Sequence, residues 1–228
     1  MSNRPIKITP EREVILSNFD TERYEILNRV RWEALLGMGL PIAGASILEP
    51  GAGVGDQTQW LLEQGAAKII VNDGREGNLD IIRERFAQDW RVTALSGDLE
   101  TSQWEPLDDQ SVDLVFLWGV YYHIKDSLEE FNVLRSLARV GRSLVLEFIE
   151  CEQDSIDAYG YQNPSTSISE FGIRPRMETV LNGLRMHFPH VYLPAQQLDW
   201  VDPAHPNMPR RIVFASVERQ DNDRLVEQ

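Results

Sequence analysis

Four short segments carry side chains whose types and spacing can do chemistry: Glu49-Pro50-Gly51-Ala52-Gly53-Val54-Gly55, Asp73-Gly74, Gly97-Asp98-Leu99, and Trp118-Gly119-Val120-Tyr121-Tyr122-His123. In the first, an acid is followed by three glycines at alternating positions. Glycine tolerates positive φ and leaves no Cβ between the backbone and a ligand. The amides that open a following helix attract negative charge. A nucleotide-like ligand therefore fits across this turn. Asp73 ends an apolar run, where a carboxylate can accept from two ribose hydroxyls. Asn72-Asp73-Gly74 also reads as a plain turn. Asp98 follows the next apolar run and can accept from an adenine amino group, with Leu99 over the ring. His123 stands just after a fourth run, and a histidine with an ordinary pKa of about 6.5 is suited to moving a proton.

These residues need elements to position them. Thr9-Pro10-Glu11 reads as a helix start, with a cap, a proline at the first position and an acid in the first turn. A longer helix runs over about 20–36, and Gly37 and Gly39 stop it. Strands and helices then alternate. Strands are expected at 46–49, 68–73, 90–95, 112–118 and 142–150, with helices at 57–64 and 78–88. Ser127-Leu128-Glu129-Glu130 has the form of a capping box opening another helix to about 138. The strands are apolar runs rather than alternations, which suits a parallel sheet covered on both faces. Residues 151–174 lack a period and read as a long loop, a place for a substrate lid. A helix at 175–187 and strands at 191–198 and 211–217 close the chain. The expectation is an α/β fold: a doubly wound, mostly parallel seven-stranded sheet with helices on both faces. It forms a single domain over 1–228 that begins with a helical segment over 1–40.

The glycine spacing separates two ligand classes. A dinucleotide turn wants G-x-G-x-x-G. Here Asp56 holds the third position and the extra glycine, Gly55, comes one place early. Taken in order, E-x-G-x-G-x-G, Asp73 after strand two, Gly-Asp after strand three, and D-L-V-F-x-x-G-V-x-Y-H resemble a class I S-adenosylmethionine-dependent methyltransferase over 47 to about 150. The resemblance implies a Rossmann-like fold and S-adenosylmethionine as cofactor. It implies cofactor contacts at Glu49, Gly51, Gly53, Asp73, Gly74, Asp98 and Leu99, with the Trp118 backbone carbonyl accepting from the methionine amino group. The Val-x-Tyr-His segment is similar to members acting on small molecules, and to some acting on tRNA wobble uridines. The expected reaction is methyl transfer to a small-molecule acceptor, at a hydroxyl or carboxylate oxygen. His123 is its catalytic residue, and Tyr121, Tyr122 and Tyr159 wall the substrate pocket. Whether His123 is a base or only positions the acceptor depends on that acceptor. A non-catalytic S-adenosylmethionine-binding partner subunit and a tRNA-modifying enzyme of this fold are the alternatives.

Composition narrows the partners. With 36 acidic against 22 basic residues the net charge is −14, so a nucleic-acid partner is not expected. No apolar run approaches the roughly 20 residues that span a bilayer. The N-terminal Met1-Ser2-Asn3-Arg4-Pro5 has no apolar core, which argues against a secretory signal and for a cytoplasmic protein. Cys151 is the single cysteine, and the four histidines show no ligand spacing, so neither a disulfide nor a metal is expected.

Overall fold

The computed structural model describes residues 8–101, 104, 107–157, 171–198 and 209–228. Two helices lead the chain. α1 (Pro10–Ser17) is capped by Thr9, whose hydroxyl accepts from the Arg12 amide. α2 (Glu22–Met38) passes through Gly37 and ends at Gly39, which adopts φ 65°. The core is a sheet of β1 (Ser46–Pro50), β2 (Lys68–Asp73), β3 (Val92–Ser96), β4 (Leu114–Leu117), β5 (Ser143–Ile149), β8 (His190–Pro194), β9 (Arg210–Ser216) and β10 (Leu225–Glu227). Their order is β10-β8-β9-β5-β4-β1-β2-β3. The five strands from β3 to β5 pair in parallel, and β9, β8 and β10 add antiparallel. α3 (Asp56–Glu63), α4 (Glu76–Arg85), α5 (Ser127–Val140) and α6 (Met177–Arg185) flank it.

The expected α/β class and the doubly wound parallel core are present, with three corrections. The sheet has eight strands rather than seven. The extra one, β10, is three residues long with only Leu225 buried, too short to show a period. The stretch expected as a loop without structure contains β6 (Ser155–Asp157) and β7 (Gly172–Arg174), which pair antiparallel. The helix expected to start at a Ser127 capping box is instead capped one residue earlier. Asp126 accepts from the amides of Leu128 and Glu129, and as an ionised acceptor it is the stronger cap.

Successive residues of a strand point to opposite faces. The sheet therefore supplies two cores from the same strands. Ile47, Leu114 and Phe116 join one cluster with Leu35, Trp60 and Ile82, while Leu48, Val115 and Leu117 join the other with Leu134, Leu137 and Leu184. α5 buries Glu130, Val133, Leu134, Leu137 and Val140, a single helical stripe. α1 buries nothing of its own and rests on α4 through Ile15 beside Gly77 and an Arg12–Glu84 ion pair.

The order in which strands are added reverses about β1: β2 and β3 lie on one side, β4 and β5 on the other. Ligands of such sheets bind outside the carboxyl ends of the strands at this switch point. The integrity of that point rests on both cores. Leu137→Ala, in a wholly buried position, should lower the unfolding free energy by about 2–5 kcal/mol in chemical denaturation. A loss well under 1 kcal/mol would mean that the α5 stripe is not close-packed.

Candidate active site

The glycine turn between β1 and α3 is left-handed at each glycine, with φ 68° at Gly51, 59° at Gly53 and 87° at Gly55. It is also crowded. A Cβ on Gly51 would lie 2.6 Å from Val120 Cγ2, and one on Gly53 would lie 2.8 Å from Phe19 Cε1. Glycine is thus required here by the protein's own packing as well as by any ligand.

Asp73, at the end of β2, is tied to this turn. Its Oδ2 accepts from the Gly53 amide at 2.9 Å, and its Oδ1 accepts from the Arg75 amide at 2.8 Å and Asn78 Nδ2 at 3.1 Å. A carboxylate has about four lone-pair sites, so one remains for a hydroxyl. Burial raises the Asp73 pKa against these three donors. Glu49, at the end of β1, accepts from Thr58 Oγ1 at 2.6 Å, and burial pushes its pKa up to about 8. Its carboxyl is therefore mostly uncharged at neutral pH. Asp98 accepts from the Glu100 amide at 3.0 Å and opens a 3₁₀ turn at Leu99–Thr101.

A cavity of about 340 Å³ runs along the carboxyl ends of these strands. Glu49, Gly51, Gly53, Asp73, Gly74, Asp98, Leu99, Trp118, Tyr122 and His123 all line it. Tyr121 does not. It is wholly buried, packs edge-on to Phe148 at 6.4 Å between ring centres, and donates its hydroxyl to Glu130. Both tyrosines of the short turn Tyr121–His123 are buried, but only Tyr122 faces the cavity. Tyr159 lies outside the described residues.

His123 is half-buried, with its ring 4.5 Å from that of Tyr122. Burial, and then the positive charges of Arg174, Arg210 and Arg75, pull its pKa down to about 3. The imidazole is neutral at any physiological pH and has little affinity for a proton.

Several lining residues were not foreseen. Phe19 comes from the turn between α1 and α2, Tyr24 and Arg31 from α2, and Arg210 from β9. The two arginines share Glu147, which is fully buried in β5. Arg31 Nη2 donates to Glu147 Oε2 at 2.7 Å and Arg210 Nη1 to Oε1 at 2.9 Å. Burial alone would raise the Glu147 pKa, but the two guanidiniums outweigh it and hold the carboxyl below its ordinary range. An acid inside the apolar run 144–149 was the one available signal.

A methyltransferase-domain family model matches residues 47–143, the span from β1 to the start of β5. Residues 47–143 are a methyltransferase domain, of the class I S-adenosylmethionine-dependent kind. A tRNA U34 carboxymethyltransferase of Methylococcus capsulatus is 30% identical over 130 residues, 55% of this chain and 39% of its own. A demethylmenaquinone methyltransferase of Clavibacter sepedonicus is 33% identical over 112 residues, 47% of this chain and 43% of its own. The chain thus spans about two fifths of the length of these relatives. The N-terminal domain of EvdMO1, crystallised in the presence of S-adenosylhomocysteine and D-fucose, shares the fold, with a TM-score of 0.66 at 18% identity over 94% of this chain and 100% of that one. The cofactor of the methyltransferase domain is S-adenosylmethionine. The residues fit it: Gly51 and Gly53 present bare backbone to the cavity, and Asp73 stands beside them with acceptor capacity left.

Two variants test this geometry. Glu147→Gln leaves two buried guanidiniums without their carboxylate and should cost about 3–5 kcal/mol of stability. A denaturation midpoint equal to wild type would remove the triad from the account. Gly51→Val should lose S-adenosylhomocysteine binding, measured by calorimetry, and should also melt earlier, because the side chain meets Val120. Wild-type affinity would place the ligand elsewhere.

Proposed function

We propose that this protein moves a methyl group from S-adenosylmethionine to an oxygen of a small-molecule acceptor. One observation carries the reading. A single cavity joins a glycine-and-acid end to an aromatic, histidine and arginine end, so two ligands can meet within it. At the first end, Asp73 takes a ribose hydroxyl, Asp98 and Leu99 take the adenine, and the backbone of Gly51, Gly53 and Gly74 lies along the cofactor beside Glu49. Trp118 offers its carbonyl to the methionine amino group. At the second end, Tyr122 and His123 flank the acceptor.

When bound, the cofactor supplies a sulfonium methyl that leaves without help from a protein acid. What remains for the protein is to hold the acceptor oxygen in line, and positioning of this kind can supply roughly 7–11 kcal/mol. Neutral His123 can donate or accept a hydrogen bond toward the acceptor. A base with a pKa near 3 draws a proton weakly, so the structure favours a positioning role over general-base catalysis.

The name of the Methylococcus capsulatus relative favours a second reading, in which tRNA is the acceptor. Incubation with labelled S-adenosylmethionine and separate small-molecule and tRNA fractions divides the two. Label in the small-molecule fraction supports the first; label confined to tRNA replaces it.

Asp73→Ala removes one charge-assisted bond to the ribose, about 1.5–3 kcal/mol. S-adenosylhomocysteine binding should weaken roughly tenfold or more. A change under about threefold would take Asp73 out of the site. For His123 the pH profile is decisive. A base must be unprotonated, so activity is lost only as pH falls through the folded pKa of about 3. The rate should therefore be flat around about pH 6.5, where an ordinary histidine would titrate. A break there, absent in His123→Ala, would restore the base role.

A further inference from the structure

Glu49 lines the cavity at the end of β1 and is 2% exposed. Its carboxyl has a single donor among the described residues: Thr58 Oγ1 reaches Oε2 at 2.6 Å. Oε1 is left with none. The charged and titratable groups that face the carboxyl come from four elements: Tyr24 from α2, Asp56 from α3, Asp73 from β2 and Arg85 from α4. Arg85 is the one cation among them, and it is committed elsewhere. It donates to Asp56 Oδ1 at 2.6 Å and to the Val54 carbonyl at 3.2 Å. Asp73 is held by the Gly53 and Arg75 amides and by Asn78.

Glu49 is therefore a buried acid with two other acids nearby, one neutral donor and no cation in contact among the described residues. Such a setting disfavours the ionised form. The free protein holds a proton on this carboxyl near neutral pH, in keeping with a pKa pushed up to about 8, chiefly by burial. The methionine half of the cofactor brings the missing cation. Its α-ammonium has three donors, of which the Trp118 carbonyl engages one in the placement above. A positive charge within about 4–6 Å of a carboxyl favours its ionised form.

Resting on the cofactor placement proposed above, we infer that Glu49 is the seat of the methionine ammonium, and that its proton is expelled to solvent as the cofactor enters. The step balances. The O–H bond at Oε1 breaks, the proton passes to water or buffer, and the electron pair stays on the oxygen, which accepts a hydrogen bond from the ammonium. A buried neutral acid becomes one half of a buried ion pair. Cofactor affinity is thereby tied to pH. The bound form lacks the proton, so affinity falls about tenfold for each pH unit below the pKa of the free carboxyl and levels off above it.

Calorimetry of S-adenosylhomocysteine binding in phosphate, HEPES and Tris, which differ in ionisation enthalpy, counts the protons released. The wild-type protein should release close to one proton at pH 7, and its affinity should fall about tenfold between pH 7 and pH 6. 5′-Methylthioadenosine has the same adenine, ribose and thioether without the amino-acid half, and should release none. Glu49→Gln keeps the shape without an ionisable group. It should release no proton with either ligand, and its affinity for S-adenosylhomocysteine should be level from pH 6 to pH 8. Absence of proton release from the wild-type protein on binding S-adenosylhomocysteine would overturn the inference. So would undiminished release in Glu49→Gln. Equal release with 5′-methylthioadenosine would overturn it too, since the proton would then belong to Asp73 beneath the ribose. The comparison of the two ligands on the wild-type protein stands if the variant does not fold. If S-adenosylhomocysteine fails to bind the wild-type protein at all, it is the methyl-transfer reading that falls.

Discussion

Glu147 holding Arg31 and Arg210 is the constraint on which the working end of this molecule depends. It joins three elements far apart in sequence: the long N-terminal helix, the fifth parallel strand and an antiparallel strand near the end of the chain. Buried ion pairs of this kind are weak contributors to net stability, because desolvation offsets their attraction. Their effect is on geometry. Breaking one contact leaves a buried charge exposed to nothing, so α2 cannot slide along the sheet by a small step. The wall of the cavity is fixed by the same contacts.

The cavity is polarised as a result. Its carboxyls cluster where the parallel strands β1 and β2 end and β3 runs on to Asp98, and its guanidiniums gather around Tyr122. Burial lifts Glu49 toward the neutral form, while burial and nearby cations strip His123 of its proton affinity.

Much of this was legible in the sequence, and what was not has physical causes. The glycine turn, Asp73 and Asp98 were readable because they depend on backbone conformation and on position after a strand, which local pattern records. The parallel core was readable from unbroken apolar runs such as Lys68–Asp73. The cap of α5 was misplaced because Asp126 and Ser127 are both good caps, and only charge separates them. Tyr121 and Tyr122 are alike in sequence, and one residue of turn geometry sends the first into the core. Arg31, Glu147 and Arg210 are 116 and 63 residues apart along the chain, and no local period can pair them. Glu147 alone announced itself, as a charge in an apolar strand.

Val120 sits with its methyl groups against the bare backbone of Gly51, where even a Cβ would not fit. It stands in the same short segment as Tyr122 and His123, so the turn under the nucleotide and the turn beside the acceptor are in direct van der Waals register. Close-packed interiors shift in discrete rearrangements rather than by gradual flexing. The two halves of the pocket are therefore mechanically one part. A lineage that remodels this loop for a new acceptor must do so by changing the reach of side chains within it, because moving its backbone would carry the cofactor's seat along.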